Sequence, residues 1–225
     1  MPPAPGVGFL LKIGNAQQAI TLSGGADTDT YELTYGGQTT GTIAKNASAA
    51  TIQADLVALS SIGAGNVAVA GPVYGPFTVT FQGALAGQNV ALLVASGETD
   101  GLAVTIAAAA TLWVTLGGQK SATFNRGTTE ADATSKDSSG WHTGDPMVRD
   151  WSIDCEHFLL ETDAAFLALQ SAWMNNAQVL VEVLTPAAHT YTGTATITKF
   201  DDAAPHDNLV AGALTVKGSG LLTLV

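Results

Sequence analysis

Alternation of apolar and polar positions is the clearest pattern in the first half of the chain, and it predicts β-strands. Tyr31, Leu33 and Tyr35 alternate with polar neighbours, and Gly36-Gly37 supplies a hairpin turn before a second strand over 38–43. Three further apolar sets predict strands: Val67 and Val69; Phe77, Val79 and Phe81; Val104 and Ile106. The same alternation explains these aromatic residues as core.

Two stretches have helical spacing instead. Ile52, Leu56 and Leu59 recur at intervals that place them on one side of a helix, which Asn46 or Ser48 can cap. A second helix is predicted after Thr162 or Asp163. Its expected apolar face consists of Phe166, Leu169, Gln170 and Trp173.

The strands predicted before and after this first set of elements are expected to pair with each other. Phe9, Leu11 and Ile13 alternate before the unit, and Leu112, Val114 and Leu116 alternate after it. Later strands are predicted over 152–157, 179–183, 190–200 and 210–217. The small unit is therefore expected to interrupt a hairpin of a larger β-domain.

Composition changes at the same boundaries. Residues 18–107 contain no Trp, Met, His, Cys or Arg, although the chain has 4 Trp and 4 His. We therefore expect a mainly β protein, in which a discontinuous β-sandwich with one flanking helix, residues 1–17 plus 108–225, carries an inserted α+β module, residues 18–107.

A long polar segment between Phe124 and Trp151 is interpreted as a loop. Loops longer than about 12–15 residues are usually functional or disordered. Trp141 and Trp151 argue against disorder, because disordered segments have few aromatic residues and a large ring needs a surface to pack on.

Charge excludes several classes of partner. The formal net charge is -11, from 8 basic and 19 acidic residues, so nonspecific attraction to nucleic acid or to an anionic membrane is not expected. Both units share the acidity, with 6 acidic against 1 basic residue inside 18–107 and 13 against 7 outside it. Cys155 is the only cysteine, which fits assembly in a reducing compartment.

No constellation for catalysis or cofactor binding is recognisable, so we expect no enzyme, no cofactor and no metal. The one local cluster is Asp154-Cys155-Glu156-His157, where alternation puts two ligands on each face of a strand, fewer than structural zinc requires. We interpret it as a buried cysteine beside a hydrogen-bonded histidine. The other histidines are predicted at the surface: His142, His189 and His206.

Four pieces of the chain, in this order, resemble the major tail tube protein family of long-tailed bacteriophages, the siphophages. They are Phe9-Leu-Leu-Lys-Ile-Gly14, Glu130-Ala-Asp-Ala-Thr-Ser-Lys-Asp-Ser-Ser-Gly-Trp141, Arg149-Asp-Trp-Ser-Ile153 and Leu214-Thr-Val-Lys-Gly-Ser-Gly220. The resemblance implies a structural virion protein that forms homohexameric rings stacked into a tube, through which DNA passes during ejection. It also implies assembly in the bacterial host cytoplasm and contact with the tape measure, tail terminator and distal tail proteins.

The resemblance makes the segment an assembly element. The candidate contacts to a neighbouring subunit or to the next ring are Thr134, Ser135, Lys136, Asp137, Trp141, Arg149 and Trp151. For Trp141 two alternatives are open, since the ring could meet a neighbour or pack on its own sandwich.

The inserted stretch is similar to a small module found in phage and bacterial surface proteins. Its matching pieces are Thr34-Tyr-Gly-Gly-Gln-Thr-Thr40, Asn46-Ala-Ser-Ala-Ala-Thr-Ile-Gln53, Gly65-Asn-Val67 and Phe81-Gln-Gly-Ala-Leu-Ala-Gly87. We expect it on the outside of the tube, since its two ends leave adjacent strands. An alternative function is a surface-displayed module that binds host-cell glycan.

Overall fold

The computed structural model describes residues 8–203 and 210–225, and these residues are mainly β. The strands are β1 Leu10–Asn15, β2 Gln17–Ser23, β3 Thr30–Tyr35, β4 Gln38–Thr39, β5 Ile43–Ala44, β6 Val67–Ala70, β7 Phe77–Phe81, β8 Val94–Ser96, β9 Ala103–Ala108, β10 Leu112–Thr115, β11 Gln119–Asp132, β12 Gly144–Phe158, β13 Val179–Leu184, β14 Thr190–Ala203, β15 Ala211–Gly218 and β16 Thr223–Leu224. The α-helices are α1 Ala49–Val57 and α2 Ala164–Met174, and short 3-10 helices span Gly83–Leu85 and Lys136–Ser138. The expected mainly β fold with a helix beside the large sheet is confirmed.

The larger sheet is antiparallel and has the order β10-β1-β13-β14-β15-β12-β11, with β16 beside β14. Lys12 of β1 pairs with Thr115 of β10, and Asn15 pairs with Leu112. The strands before and after the small unit therefore form one hairpin, as their alternation predicted.

This sheet curls around a single core, so the two layers expected of a sandwich belong to one continuous sheet. Gln119 holds the curl, because its side chain accepts a hydrogen bond from the Leu11 N–H at 2.9 Å and donates to the carbonyls of Leu11 and Leu116 at 2.9 Å each. Apolar side chains from five strands meet inside: Leu11, Ile13, Ile153, Val179, Val181, Val183, Ile197, Leu214 and Val216.

Helix α2 covers this core with a different face from the one predicted. Asp163 caps its first turn by accepting a hydrogen bond from the Phe166 N–H at 2.9 Å. Gln170 and Trp173 are exposed, so their assignment to the apolar face was wrong. The buried face contains small residues instead, because small side chains let the helix lie close to the sheet and to the Gly83–Leu85 turn. The buried face is Ala165, Phe166, Ala168, Leu169 and Ala172.

Residues 16–111 enclose a second core between two small sheets, β6-β7-β2-β9 and β4-β3-β5 with β8 beside β3. Ser48 caps α1 by accepting a hydrogen bond from the Thr51 N–H at 3.2 Å, as predicted. Strand β2 had no sequence signal, since the buried residue Gln18 interrupts its apolar pattern. The Gln18 side chain instead accepts a hydrogen bond from the Leu93 N–H at 2.8 Å and donates to the Ala91 carbonyl at 2.8 Å.

The predicted strand over 38–43 is broken at Thr40, whose hydroxyl accepts a hydrogen bond from the Leu33 N–H at 3.0 Å. The aromatic residues of this part form its core as expected. Tyr31, Phe77 and Phe81 are fully buried, and the ring of Tyr35 lies 5.4 Å from that of Phe81.

The small unit also contacts the large sheet directly, beyond its two covalent connections. The Leu180 N–H donates to the Gly87 carbonyl at 2.7 Å, and the Ser171 hydroxyl donates to the Ala84 carbonyl at 2.9 Å. Gly87 has a φ of +74°, and a Cβ there would lie 2.7 Å from Cγ2 of Ile13. Only glycine combines this backbone angle with such a close approach.

Candidate assembly site

The segment from Phe124 to Trp151 is a long β-hairpin, so its interpretation as a loop was wrong. Strands β11 and β12 pair antiparallel from Gln119 and His157 out to Asp132 and Gly144. Among residues 126–150 whose burial is described, all are exposed except the half-buried Ala131 and Gly144. Sequence alternation missed these strands because neither face of the hairpin touches the core at this distance.

The outer half of the hairpin is a two-stranded ribbon, defined here as residues 126–132 and 144–150. Strand β12 pairs with β15 only from Ser152 to Phe158, and β11 is the last strand of the sheet order. Within the described residues, both edges of the ribbon therefore carry backbone N–H and C=O groups that no strand satisfies. A two-stranded ribbon is only marginally stable in water, and an open edge is a template for another strand.

The tip, residues 130–145, is shaped by its own polar groups. The Ala133 N–H donates to the Thr143 carbonyl at 2.8 Å, closing the end of the ladder. Hydrogen bonds from the side chain and backbone of Thr134 lower the pKa of Asp132. His142 lies between two carboxylates, with Nδ1 3.6 Å from Oε1 of Glu130 and Nε2 3.7 Å from Oδ1 of Asp132.

The two tryptophans of the hairpin have opposite environments. Trp141 is 79% exposed at the tip, so it does not pack on its own sheet. Trp151 is 6% exposed and belongs to the large core. Its ring lies over two glycines, since a Cβ on Gly218 would overlap the indole and one on Gly193 would lie 2.6 Å from Cζ2. The indole Nε1–H donates to the Gly220 carbonyl at 3.2 Å.

The remaining predicted contact residues are distributed along the hairpin. Five of the seven lie at the exposed tip: Thr134, Ser135, Lys136, Asp137 and Trp141. Arg149 is exposed on the ribbon. The Trp151 side chain is buried in the core of its own subunit, so only the other six residues are available as candidate contacts between subunits.

A row of polar side chains covers the face of β11 and β12 opposite the core. Alternation places Ser152, Asp154 and Glu156 on this face, between the buried residues Ile153, Cys155 and His157. The Asp154 carboxylate accepts hydrogen bonds from the Asn125 amide at 2.7 Å and the Thr215 hydroxyl at 2.6 Å. Asp150 continues the row, which thus presents acidic groups to solvent.

A groove, here called the base groove, opens where the ribbon leaves the core. Its volume is about 940 Å³. It is lined by Arg126, Gly127, Thr128, Val148, Arg149, Asp150, Trp151, Lys217, Gly218, Gly220, Leu221 and Leu222. Arg126 is held in place by stacking, with its guanidinium carbon 5.0 Å from the Phe124 ring centre and 5.4 Å from that of Tyr191. The groove had no sequence signal, because its walls come from three separate stretches of the chain.

The Cys155 and His157 cluster does not form a reactive site. Burial, together with the Glu156 carboxylate, raises the pKa of the Cys155 thiol to about 12, so the thiolate form is rare. His157 is 1% exposed, and desolvation lowers its pKa although Asp202 and Asp163 act in the opposite direction. Neither ring nitrogen has a hydrogen-bond partner among the described residues, which corrects the expected hydrogen bond.

The remaining histidines lie at the surface wherever the structure describes them. His142 and His189 are exposed as predicted, and His206 lies outside the described residues. Within 8–203 and 210–225, no three His, Cys, Asp or Glu side chains are grouped closely enough to hold a metal ion. In the same ranges no helix has the length and apolar character needed to cross a membrane.

Comparison with known proteins shows the family of this chain. The sequence profile of the phage tail tube protein family matches residues 95–224, more than half of the chain. The chain belongs to the phage tail tube protein family. The match covers the hairpin and every strand of the large sheet except β1, and it leaves residues 1–94 outside it. The resemblance seen in the hairpin is confirmed, and the protein is a structural component of the phage tail and not an enzyme.

Two solved structures are similar in fold to part of this tail tube family member. One is the tail of an empty gene transfer agent (GTA) particle with C6 symmetry, at 21% identity over 50% of this chain and 86% of that chain, with a TM-score of 0.47. The other is the virion of a native GTA particle, at 20% identity over 50% of this chain and 88% of that chain, also with a TM-score of 0.47. No curated protein matches the chain.

Proposed function

We propose that this protein assembles into homohexameric rings that stack into the tail tube of a long-tailed phage. The observation that carries the proposal is the exposed ribbon, residues 126–132 and 144–150, whose two edges are open. Strands from neighbouring subunits can satisfy both edges, and closure of the ring leaves none of them exposed. The number of six copies is taken from the family resemblance of the chain.

The polar face of β11 and β12 is proposed to line the channel. It presents the carboxylates of Asp150, Asp154 and Glu156, with one cation, Lys217, on the neighbouring strand opposite Ser152. DNA affinity depends mainly on cations that neutralise phosphate, so an acidic wall lets DNA slide past during ejection. The acidic lumen of the proposal rests on these three carboxylates.

The remaining partners follow from the proposed position in the tail. The tube surrounds the tape measure protein and meets tail terminator and distal tail proteins at its two ends. Assembly takes place in the cytoplasm of the bacterial host. The buried thiol of Cys155, the chain's only cysteine, is compatible with that reducing compartment.

The protein is proposed to consist of two domains, residues 1–17 plus 108–225 and the inserted residues 18–107, with the insert outside the tube. Two hydrophobic cores support this division, and Ala86 is the one buried residue of the insert that belongs to the larger core. The insert leaves the large sheet at the Asn15 end of β1, whereas Phe124 at the base of the hairpin packs on Phe9 near the other end of that strand. An insert there leaves the hairpin free for assembly.

Deleting residues 18–107 is therefore expected to spare tube formation. The deletion leaves Ala16, Gln17 and 108–111 as a short connection between Asn15 and Leu112, which already pair. All 4 tryptophans lie outside the deleted residues, so their fluorescence reports whether the remaining domain is folded. Electron microscopy should then show narrower tubes. A folded deletion variant that forms no tubes contradicts the exterior placement.

A simple test of the ring proposal is negative-stain microscopy of the purified chain over a range of concentrations. We expect rings and then stacks, because open ribbon edges associate as concentration rises. Sedimentation velocity on the same samples measures the smallest stable species. A chain that stays monomeric at every concentration contradicts the proposal.

Glycan binding by the insert is a second candidate function, favoured by the surroundings of Tyr74. The side chain of this residue is 43% exposed. Its backbone has a φ of +71°, an angle that is rare and costly for a tyrosine. Its hydroxyl donates to Asp27 at 3.0 Å, and the Lys45 ammonium lies 5.9 Å from its ring centre. The adjoining cleft has a volume of about 500 Å³. A fixed, half-exposed ring beside charged groups suits stacking and hydrogen bonding to a sugar.

The glycan candidate predicts binding that depends on Tyr74. Cell-wall polymers on an array should capture the protein, and Tyr74→Ala should remove most of the signal because it removes the ring. Tyr191→Ala is the control, since Tyr191 lies on the large sheet. Absence of binding across the array favours a purely structural role.

A further inference from the structure

The base groove gathers positive charge on a strongly acidic protein. Three of the chain's 8 basic residues line it, Arg126, Arg149 and Lys217, against one acidic residue, Asp150. Among the described residues, neither Arg149 nor Lys217 forms an ion pair. The groove thus has a local excess of two positive charges on a chain whose formal net charge is -11.

The walls between these cations are apolar and open to solvent. Val148 is 64% exposed and Leu221 is 84% exposed, while the buried Trp151 ring forms the inner end of the groove. Neighbouring exposed apolar side chains inside a charged rim are typical of a protein–protein contact. The partner that fits is a segment with acidic groups around an apolar side chain.

The tip of the same hairpin has this chemistry. Residues 130–145 include four acidic residues, Glu130, Asp132, Asp137 and Asp145, against Lys136, a formal charge of -3 with His neutral. Among them Trp141 is 79% exposed. Tryptophan is one of the residue types enriched among the anchors of protein interfaces.

A subunit cannot place its own tip in its own groove. The groove lies at Thr128 and Arg149, which pair with each other, and Asp132 is four positions farther along the strand. At about 3.3 Å per residue, Asp132 and the turn beyond it, which carries Trp141, lie roughly 13 Å or more from this pair. The paired ribbon holds the tip away from the sheet, so any tip in the groove belongs to another copy.

We infer that the base groove of one subunit binds the acidic, tryptophan-bearing tip of a second copy of this chain. The contact joins two different surfaces, so each subunit offers one tip and one groove, and the contact propagates head to tail. Charge attraction orients the tip, and Trp141 covers the exposed side chains of Val148 and Leu221. The inference rests on the proposed self-assembly and specifies its contact.

Site-directed cross-linking tests this contact. Cysteines are introduced into the groove with Thr128→Cys and into the tip with Ser139→Cys, both exposed positions. The native Cys155 is 2% exposed, so it contributes little background labelling. A bis-maleimide too short to join the two positions within one ribbon is added to samples in which electron microscopy shows assembled particles. The matched control pairs Ser139→Cys with Thr105→Cys, an exposed threonine of β9.

The expected result is a ladder of trimers and larger species for Thr128→Cys with Ser139→Cys. Each single-cysteine variant can form dimers at most, and the Thr105→Cys control should not exceed that size. Adding Arg149→Glu to the double variant should reduce the ladder by about tenfold or more, because a carboxylate then faces the acidic tip.

The experiment distinguishes failure of the tip-in-groove contact from failure of tube assembly. Assembled particles with no ladder beyond the control overturn the tip-in-groove contact and leave the tube proposal intact. An unaltered ladder with Arg149→Glu overturns the role of charge in the contact. If the wild-type chain never assembles, the proposed function fails, and this inference fails with it.

Discussion

Replacing Trp141 with alanine is expected to prevent tube assembly while leaving the folded subunit as stable as before. The side chain is 79% exposed, so its removal takes no packing from the subunit. Buried in a contact between subunits, a tryptophan anchor typically contributes about 2–4 kcal/mol. A loss of that size weakens each contact by roughly 30- to 700-fold.

The measurement is the critical concentration for assembly, read from light scattering or pelleting of tubes. Trp173→Ala is the matched control, since Trp173 is 54% exposed on α2 and lies outside the hairpin. Tubes that form from the Trp141→Ala chain at the wild-type concentration would show that the tip is not an anchor.

Replacing Trp151 with alanine is expected to have the opposite effect, a large loss of stability in the subunit itself. The ring is 6% exposed and fills the space over Gly193 and Gly218, whose missing side chains leave room for it. Truncation of a buried tryptophan costs about 3–5 kcal/mol, since a cavity remains that the flanking strands cannot close. That cost is a large part of the stability of about 5–15 kcal/mol that is typical of a domain.

Chemical denaturation followed by tryptophan fluorescence measures this loss in the large sheet, because all 4 tryptophans lie outside residues 18–107. The matched comparison is Trp141→Ala, the same substitution in the same hairpin, for which no change in the midpoint is expected. Equal midpoints for Trp151→Ala and the wild type contradict the packing described for this ring.

The two tryptophans also show how far the sequence predicts the site. The unusual composition of the segment and its family resemblance were enough to select the hairpin as the candidate for assembly. They could not separate Trp141 from Trp151, because burial depends on where the hairpin leaves the sheet. Trp151 packs on Gly193 and Gly218, which are distant in sequence.

Strands were predictable wherever one face lies on a core. β3, β7 and β13 have alternating apolar residues for that reason. The ribbon was not predictable, because both of its faces are exposed and its sequence carries no alternation. In β2 the buried Gln18 replaces an apolar residue and satisfies two backbone groups, a role that periodicity does not detect.

The base groove was beyond sequence reasoning for a different reason. Arg126, Arg149 and Lys217 are each ordinary exposed cations, and they meet only because β11, β12 and β15 are neighbours in the sheet. Helix α2 shows a related limit, since its buried alanines carry a weak apolar signal and the large Trp173 carries a strong one. Close approach to the sheet selected the small side chains.

Cryo-electron microscopy of tubes grown from the purified chain tests the central claim most directly. The account predicts stacked six-membered rings in which the hairpins of neighbouring subunits join into a continuous wall, with Asp150, Asp154 and Glu156 facing the channel. Residues 18–107 are expected on the outer surface. A tube whose channel is lined by other strands, with the hairpins remaining as separate ribbons, would contradict it.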